Sequence, residues 1–255
     1  MEIEFTLHGQ RFQADASRPI ELGVPVQADG GARAWYVGPP RFEPVRMGDW
    51  VGSVAEGGNV NFRDVYFNPH GHGTHTECLG HITAVCERLP EALPPVLVPA
   101  AVITVQTEVR GEDRVLTGRD VCTAWDRWAE GSVEVKACVL RTAPPDPECG
   151  RRDWSNSNPP YLEAAAAKGL ADRGVEHLLL DLPSVDREVD GGALAAHRAF
   201  WRVPDAPRRH ATITEMIHVP EGVADGVYLL NLQVALLDND AVPSRPILFR
   251  IFARP

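Results

Sequence analysis

The chain has no long hydrophobic run, which excludes the simplest kind of membrane protein. Its most apolar stretch, Leu93 to Val105, is broken by Pro94, Pro95 and Pro99, and nothing approaches the ~20 consecutive apolar residues that a spanning helix needs. Basic residues are also scarce. There are 25 Lys+Arg against 35 Asp+Glu, a formal net charge of −10, and the basic residues are scattered singly or in pairs, so nucleic-acid binding loses its electrostatic motive. There is no C-x-x-C pair. The five cysteines, Cys78, Cys86, Cys122, Cys138 and Cys149, make an odd count that suits neither a disulfide framework nor a structural zinc cluster. Most are expected as small buried apolar residues. The opening MEIEFTLHGQRF lacks the basic and then apolar pattern of a secretory signal, so a cytoplasmic location is expected. No internal repeat, low-complexity tract or clear linker divides the chain, and residues 1–255 are expected to form one domain.

What is present is an ordinary globular composition, 44% hydrophobic and 24% charged over 255 residues, long enough to build a core without disulfides. Segments rich in β-branched and aliphatic residues predict strands at Ala101 to Val109, Val133 to Arg141, His177 to Leu182, Gly226 to Val234 and Pro246 to Ile251. Between the second and third, Pro159-Pro160 opens, Ala164 to Ala167 carry and Gly174 closes the clearest helix. Asn158 is the candidate cap. Helical signals also cover Arg119 to Ala129 and Gly191 to Trp201. The mixture is α/β without regular βαβ alternation.

Four of nine histidines fall within His70-Gly71-His72-Gly73-Thr74-His75-Thr76-Glu77-Cys78-Leu79-Gly80-His81. Imidazole and carboxylate are the usual ligands of zinc and similar divalent ions, and the intervening glycines let the backbone bend until several donors converge. In an extended chain His75, Glu77 and His81 would share one face, because strand side chains alternate. His70 and His72 compete for one role. Two distant segments offer further donors: Asp181-Leu-Pro-Ser184-Val-Asp186 with His197 beyond a Gly191-Gly192 break, and Glu215 inside a β-branched stretch, where an unpaired carboxylate would be costly. Asp181, Ser184 and Asp186 are expected to form the loop or to orient His197 rather than bind metal.

These residues resemble the cyclase-like metal hydrolases that include bacterial kynurenine formamidase. The likeness rests on Gly73-Thr74-His75-x-Glu77-x-x-x-His81, Asp181-x-x-Ser184-x-Asp186 with His197, and Glu215 before a strand, and extends from about Pro19 to the C-terminal strands. It implies a single compact α/β domain of the swivelling β/β/α type with a mixed sheet, usually a homodimer or homotetramer. It also implies that His75 binds a first metal, Glu77 bridges, His197 binds a second metal, Glu215 bridges again, and His81 is the acid/base. The chain departs from the pattern in three places. Gly71 stands where the family has its first ligand histidine, leaving His70 or His72 to swing in; Glu77 replaces an aspartate; and Leu79 replaces a proline. Trp35, in the loop Trp35-Tyr36-Val37-Gly38-Pro39-Pro40, corresponds in position to the family's tryptophan over the substrate.

The expected activity is hydrolysis of the C–N bond of a small amide, aryl formamide or cyclic amide by metal-activated water. One or two divalent ions would serve, zinc first and manganese second. Two alternatives use the same letters. One is a metal-binding protein of this fold without catalysis. The other is a cupin-type jelly roll, for which His70-x-His72 and Glu77 form the motif core, although Asp64 and Ala84 stand where cupins have glycines.

Overall fold

The computed structural model describes residues 1–7, 9–85, 87–93, 97–129 and 134–253. An 11-stranded sheet organises the backbone. Numbered within that sheet, its strands are β1 (Glu2–Leu7), β2 (Gln10–Asp15), β3 (Ile20–Glu21), β4 (His75–Glu77), β5 (Val98–Gln106), β6 (Ala137–Ala143), β7 (His177–Leu180), β8 (Thr212–Glu215), β9 (Gly226–Asn231), β10 (Ala241–Pro243) and β11 (Ile247–Ala253). The order is β1-β2-β11-β9-β5-β6-β7-β8-β4-β10, with β3 paired to β11. The centre, β5-β6-β7-β8, is parallel, whereas β9 and β4, on either side of it, run antiparallel. The chain is therefore one compact α/β domain with a mixed sheet. An antiparallel jelly roll, and with it the cupin reading, is excluded.

The central strands are near-continuous apolar runs because both of their faces are covered. Ile103, Cys138, Leu140, Leu178, Leu180 and Ile213 face one layer, where they pack with Trp125, Leu170, Phe200 and Trp201. Those side chains come from helices α1 (Gly118–Ala129), α2 (Ala164–Asp172) and α3 (Ala195–Trp201). The alternate residues Ala100, Val102, Val139 and Leu179 meet Tyr228, Leu230 and Leu248 on the opposite face. The alanine-rich composition of α2 permits close approach to α1: a Cβ added at Gly118 would stand 3.0 Å from that of Ala165.

Several expected elements shift. The strand placed at Val133 is described from Ala137 onward, with Val133 outside the described residues, as is Cys86. Asn158 does not cap α2. The helix starts later, with Glu163 at its cap position, and the Asn158 amide donates to Glu112 O and the Asp113 carboxylate. The other four cysteines are free thiols. Among the described residues no helix is long and apolar enough to cross a membrane.

Candidate metal centre

Strand register brings the distant donors together. β4 lies between β8 and β10, with His75 opposite both Glu215 and Pro243, and Glu77 opposite both Ile213 and Ala241. Directly paired residues point to the same face, so His75, Glu77 and Glu215 join Ile213 on the helix-covered side. Thr76 and Thr214 point the other way, and their hydroxyls bond at 2.8 Å. Extended backbone ends at Glu77. A tight turn over Leu79–Ile82, closed by the His81 N–H donating to Cys78 O at 3.0 Å, then brings His81 back toward Glu77. His81 thus joins the cluster by a turn, not by the strand alternation expected from the sequence.

The Gly/His loop settles which of its two early histidines joins. The Asn68 side-chain oxygen accepts the N–H groups of His70 and Gly71, and the Asn68 N–H donates to His72 Nδ1 at 2.9 Å. With the loop pinned in this way, His70 faces the cluster and His72 does not join it. The other ring nitrogen of His72 lies 2.8 Å from Gly38 O, so this side chain ties the loop to the Trp35 segment. A side chain at Gly71 would require Val37 to shift, since an added Cβ would come 2.7 Å from Val37 Cγ2. Gly73 adopts φ +66°, and a Cβ there would stand 2.7 Å from Val24 O, so only glycine suits both the conformation and the space.

Around Glu77, which is fully buried, four imidazoles converge. His70 Nδ1 is 3.0 Å from Oε2 and His81 Nε2 is 3.9 Å from it, while His197 Nε2 is 3.0 Å from Oε1. His75 Nε2 is 3.4 Å from Glu215 Oε2, and Glu215 Oε1 accepts the Val185 N–H at 2.9 Å. Ligand atoms of His75, Glu77 and Glu215 all lie within 4.8 Å of one another, as do those of His70, Glu77 and His81. Glu77 belongs to both sets.

Tautomers make the cluster suitable for a cation. His75 Nδ1 faces Gly73 O at 3.2 Å, where only a donated N–H is favourable. That leaves a lone pair on Nε2, which is buried without a hydrogen-bond partner. His197 Nδ1 likewise gives its proton to Asp186 at 2.6 Å, so its Nε2 lone pair confronts Glu77 and requires a proton or a metal ion between them. Burial alone would push His197 down, but Asp186 and Glu77 reverse this and raise it to about 10. His70 behaves alike: burial opposes its charge, yet Asp240 and Glu77 raise it to about 10. Burial would also raise Glu77, and the facing imidazoles instead hold it well below the ordinary carboxylate range. The donor set therefore calls for positive charge at its centre and fits a divalent ion.

Asp186 has two duties. It accepts the Ala196 and His197 N–H groups at the start of α3 and fixes the His197 ring. Carboxylates behind metal-binding histidines typically contribute about 10–100-fold in metal affinity, and Asp186→Asn is expected to lose that much zinc affinity, as measured by competitive chelator titration. Ser184 supports Asp186, its hydroxyl accepting the Asp186 N–H. Asp181 does not take part. Both of its oxygens accept from Thr142, away from His197. The sequence reading missed Asp240, which precedes β10 and stands 2.9 Å from His70 Nε2 and 3.6 Å from His81 Nδ1. A cavity of about 390 Å³ opens on this cluster, lined among others by Trp35, Val37, His70, His81, Leu194 and His197.

A family model described as "Putative cyclase" matches residues 15–187. Among solved structures, isatin hydrolase A from Labrenzia aggregata, bound to benzyl benzoate, is similar at 13% identity and TM-score 0.63, with 91% of this chain and 93% of that one covered. Isatin hydrolase A from Ralstonia solanacearum matches at 13% identity and TM-score 0.58, covering 91% of each chain. A structure described as a potential metal-dependent hydrolase with cyclase activity matches at 16% identity and TM-score 0.59, covering 91% of this chain and 98% of that one. No curated protein matches.

Proposed function

Since this chain belongs to the cyclase family, we propose that it is a metal-dependent hydrolase cleaving the C–N bond of a small amide, aryl formamide or cyclic amide. The observation that carries the reading is the unpartnered, fully buried His75 Nε2, which faces Glu215 at 3.4 Å within reach of Glu77 beside a cavity of small-molecule size. His75, Glu77 and Glu215 would hold one ion, zinc first and manganese second. His70 and His197, which flank Glu77, offer donors for a second. A bound divalent ion supplies Lewis acidity and lowers the pKa of water toward ~7.

The chain's own side chains supply the rest. Water attack on the substrate carbonyl gives a tetrahedral oxyanion and releases a proton, which His81 takes up and returns to the leaving nitrogen as the intermediate collapses. His81 is the donor: it lines the cavity, its side chain is 31% exposed, and Asp240 faces its Nδ1 at 3.6 Å, leaving Nε2 to hold the transferable proton. Asp186 keeps His197 oriented. Trp35 and Val37 supply an apolar wall on which an aryl ring can stack.

The reading includes a cytoplasmic homodimer or homotetramer acting on a small molecule, with neither nucleic acid nor membrane as partner. Support for self-association comes from the apolar side chains Met47, Phe62, Val65 and Tyr66, each of them exposed within residues 41–66. The test of function is to strip the protein of metal, titrate zinc or manganese back and follow hydrolysis of formanilide and isatin. Turnover that rises with metal occupancy is expected. Tight metal binding with no turnover of any amide or ester would assign a binding protein instead.

A further inference from the structure

A second cavity, of about 230 Å³, lies apart from the histidine cluster and is absorbed by none of the chemistry above. It opens where β5 and β6 end and β7 gives way to Asp181, so Thr107, Thr142 and Asp181 all line it. The crevice beyond the carboxyl ends of parallel strands is where α/β sheets commonly take ligands. Pro144, Pro145, Pro160 and Leu182 give this cavity apolar walls, while Arg114, Asp146, Arg152 and Trp154 give it polar ones.

Hydrogen-bond accounting sets the ligand's chemistry. The acceptors are already engaged: both Asp181 oxygens take protons from Thr142, Asp146 Oδ1 accepts the Glu148 N–H, and Asp146 Oδ2 pairs with Arg152. The unused capacity is on the donor side. Trp154 is 5% exposed, and its buried indole Nε1 has no hydrogen-bond partner, a costly state unless something accepts that proton. Arg114 makes no ion pair among the described residues and only lowers the Asp146 carboxyl from a distance. The Arg152 guanidinium lies over the Trp154 ring, 5.3 Å from its centroid, so its charge is held beside the unpaired N–H.

We infer that this cavity is a binding site for a small monocarboxylate with an apolar body, its oxygens accepting from Trp154 Nε1 and Arg114 and its hydrocarbon part lying against the prolines and Leu182. The site goes beyond the hydrolase reading and does not rest on it. Its wall nevertheless continues into the metal cluster. Leu182 O accepts the N–H of Met216, the neighbour of Glu215, at 2.8 Å, and the same loop carries Val185 and Asp186.

The experiment is a titration of sodium benzoate into the full chain, metal-free, followed by the ¹⁵N–H signals of the tryptophan indoles. The Trp154 signal is assigned from its disappearance in Trp154→Phe. A saturable shift of the Trp154 indole is expected, at least fivefold weaker in Arg114→Ala and weaker still for neutral benzamide. An unmoved Trp154 signal, a shift confined to Trp35, or equal affinity in Arg114→Ala would overturn the assignment.

Discussion

Glu77→Gln is expected to lose metal and hydrolysis together. Glutamine keeps the shape but removes the charge that belongs to both donor sets. Carboxylates standing behind metal ligands already contribute about 10–100-fold in affinity, so loss of a carboxylate shared between ligand sets is expected to exceed 100-fold, or about 3 kcal/mol. The fold should survive. His70 and His197 can each give up their extra proton, and Asp240 and Asp186 still face them, so no uncompensated charge is left that would cost several kcal/mol. Elemental analysis after dialysis, alongside circular dichroism, checks both halves. A Glu77→Gln protein that keeps its full metal content would remove Glu77 from the centre.

The second large effect is the opposite pairing, with metal retained and turnover lost. His81→Ala leaves His75, Glu77 and Glu215 in place and removes one of the imidazoles that line the cavity. General acid–base groups contribute about 10²–10⁴-fold, and kcat is expected to fall by that much while metal content stays within error of the parent. His75→Ala should behave differently, losing metal and activity together, because its buried Nε2 faces the Glu215 carboxylate instead of the cavity. If the His81 variant came out metal-free and the His75 variant fully loaded, the two roles would have to be exchanged.

The two effects separate because β4 and the turn after it present their side chains differently, and this is where sequence patterns stop being informative. The central strands, though not their parallel pairing, were legible because runs such as Leu178–Leu180 are continuously apolar between turn formers, as strands covered on both faces must be. β4 carries no such pattern: its residues are His75, Thr76 and Glu77, buried because β8 and β10 flank them. Spacing within the Gly/His run left His70 and His72 open, since the decision lies in Asn68, whose side chain and backbone bond both arms of the loop. Asp240 had no local signal at all. It is 170 residues from the His70 it faces, and only the pairing of β10 on β4 brings it near. Of the two roles open to Asp181, forming the loop or orienting His197, the structure excludes the second. Asp181 shares a loop with Asp186, but the end of β7 turns it toward Thr142 and the second cavity. Asn158 precedes the two prolines as a cap would, yet tertiary bonds to Glu112 and Asp113 hold it instead.

The account stands on the meeting of β4, β8 and α3 around one cation. Anomalous diffraction at the zinc edge from crystals grown with zinc tests this most directly. The predicted result is a peak at about 2.0–2.2 Å from His75 Nε2 and from oxygens of Glu77 and Glu215. A strong peak elsewhere, at the Cys149–His218 pair for instance, with none in reach of His75, would contradict it.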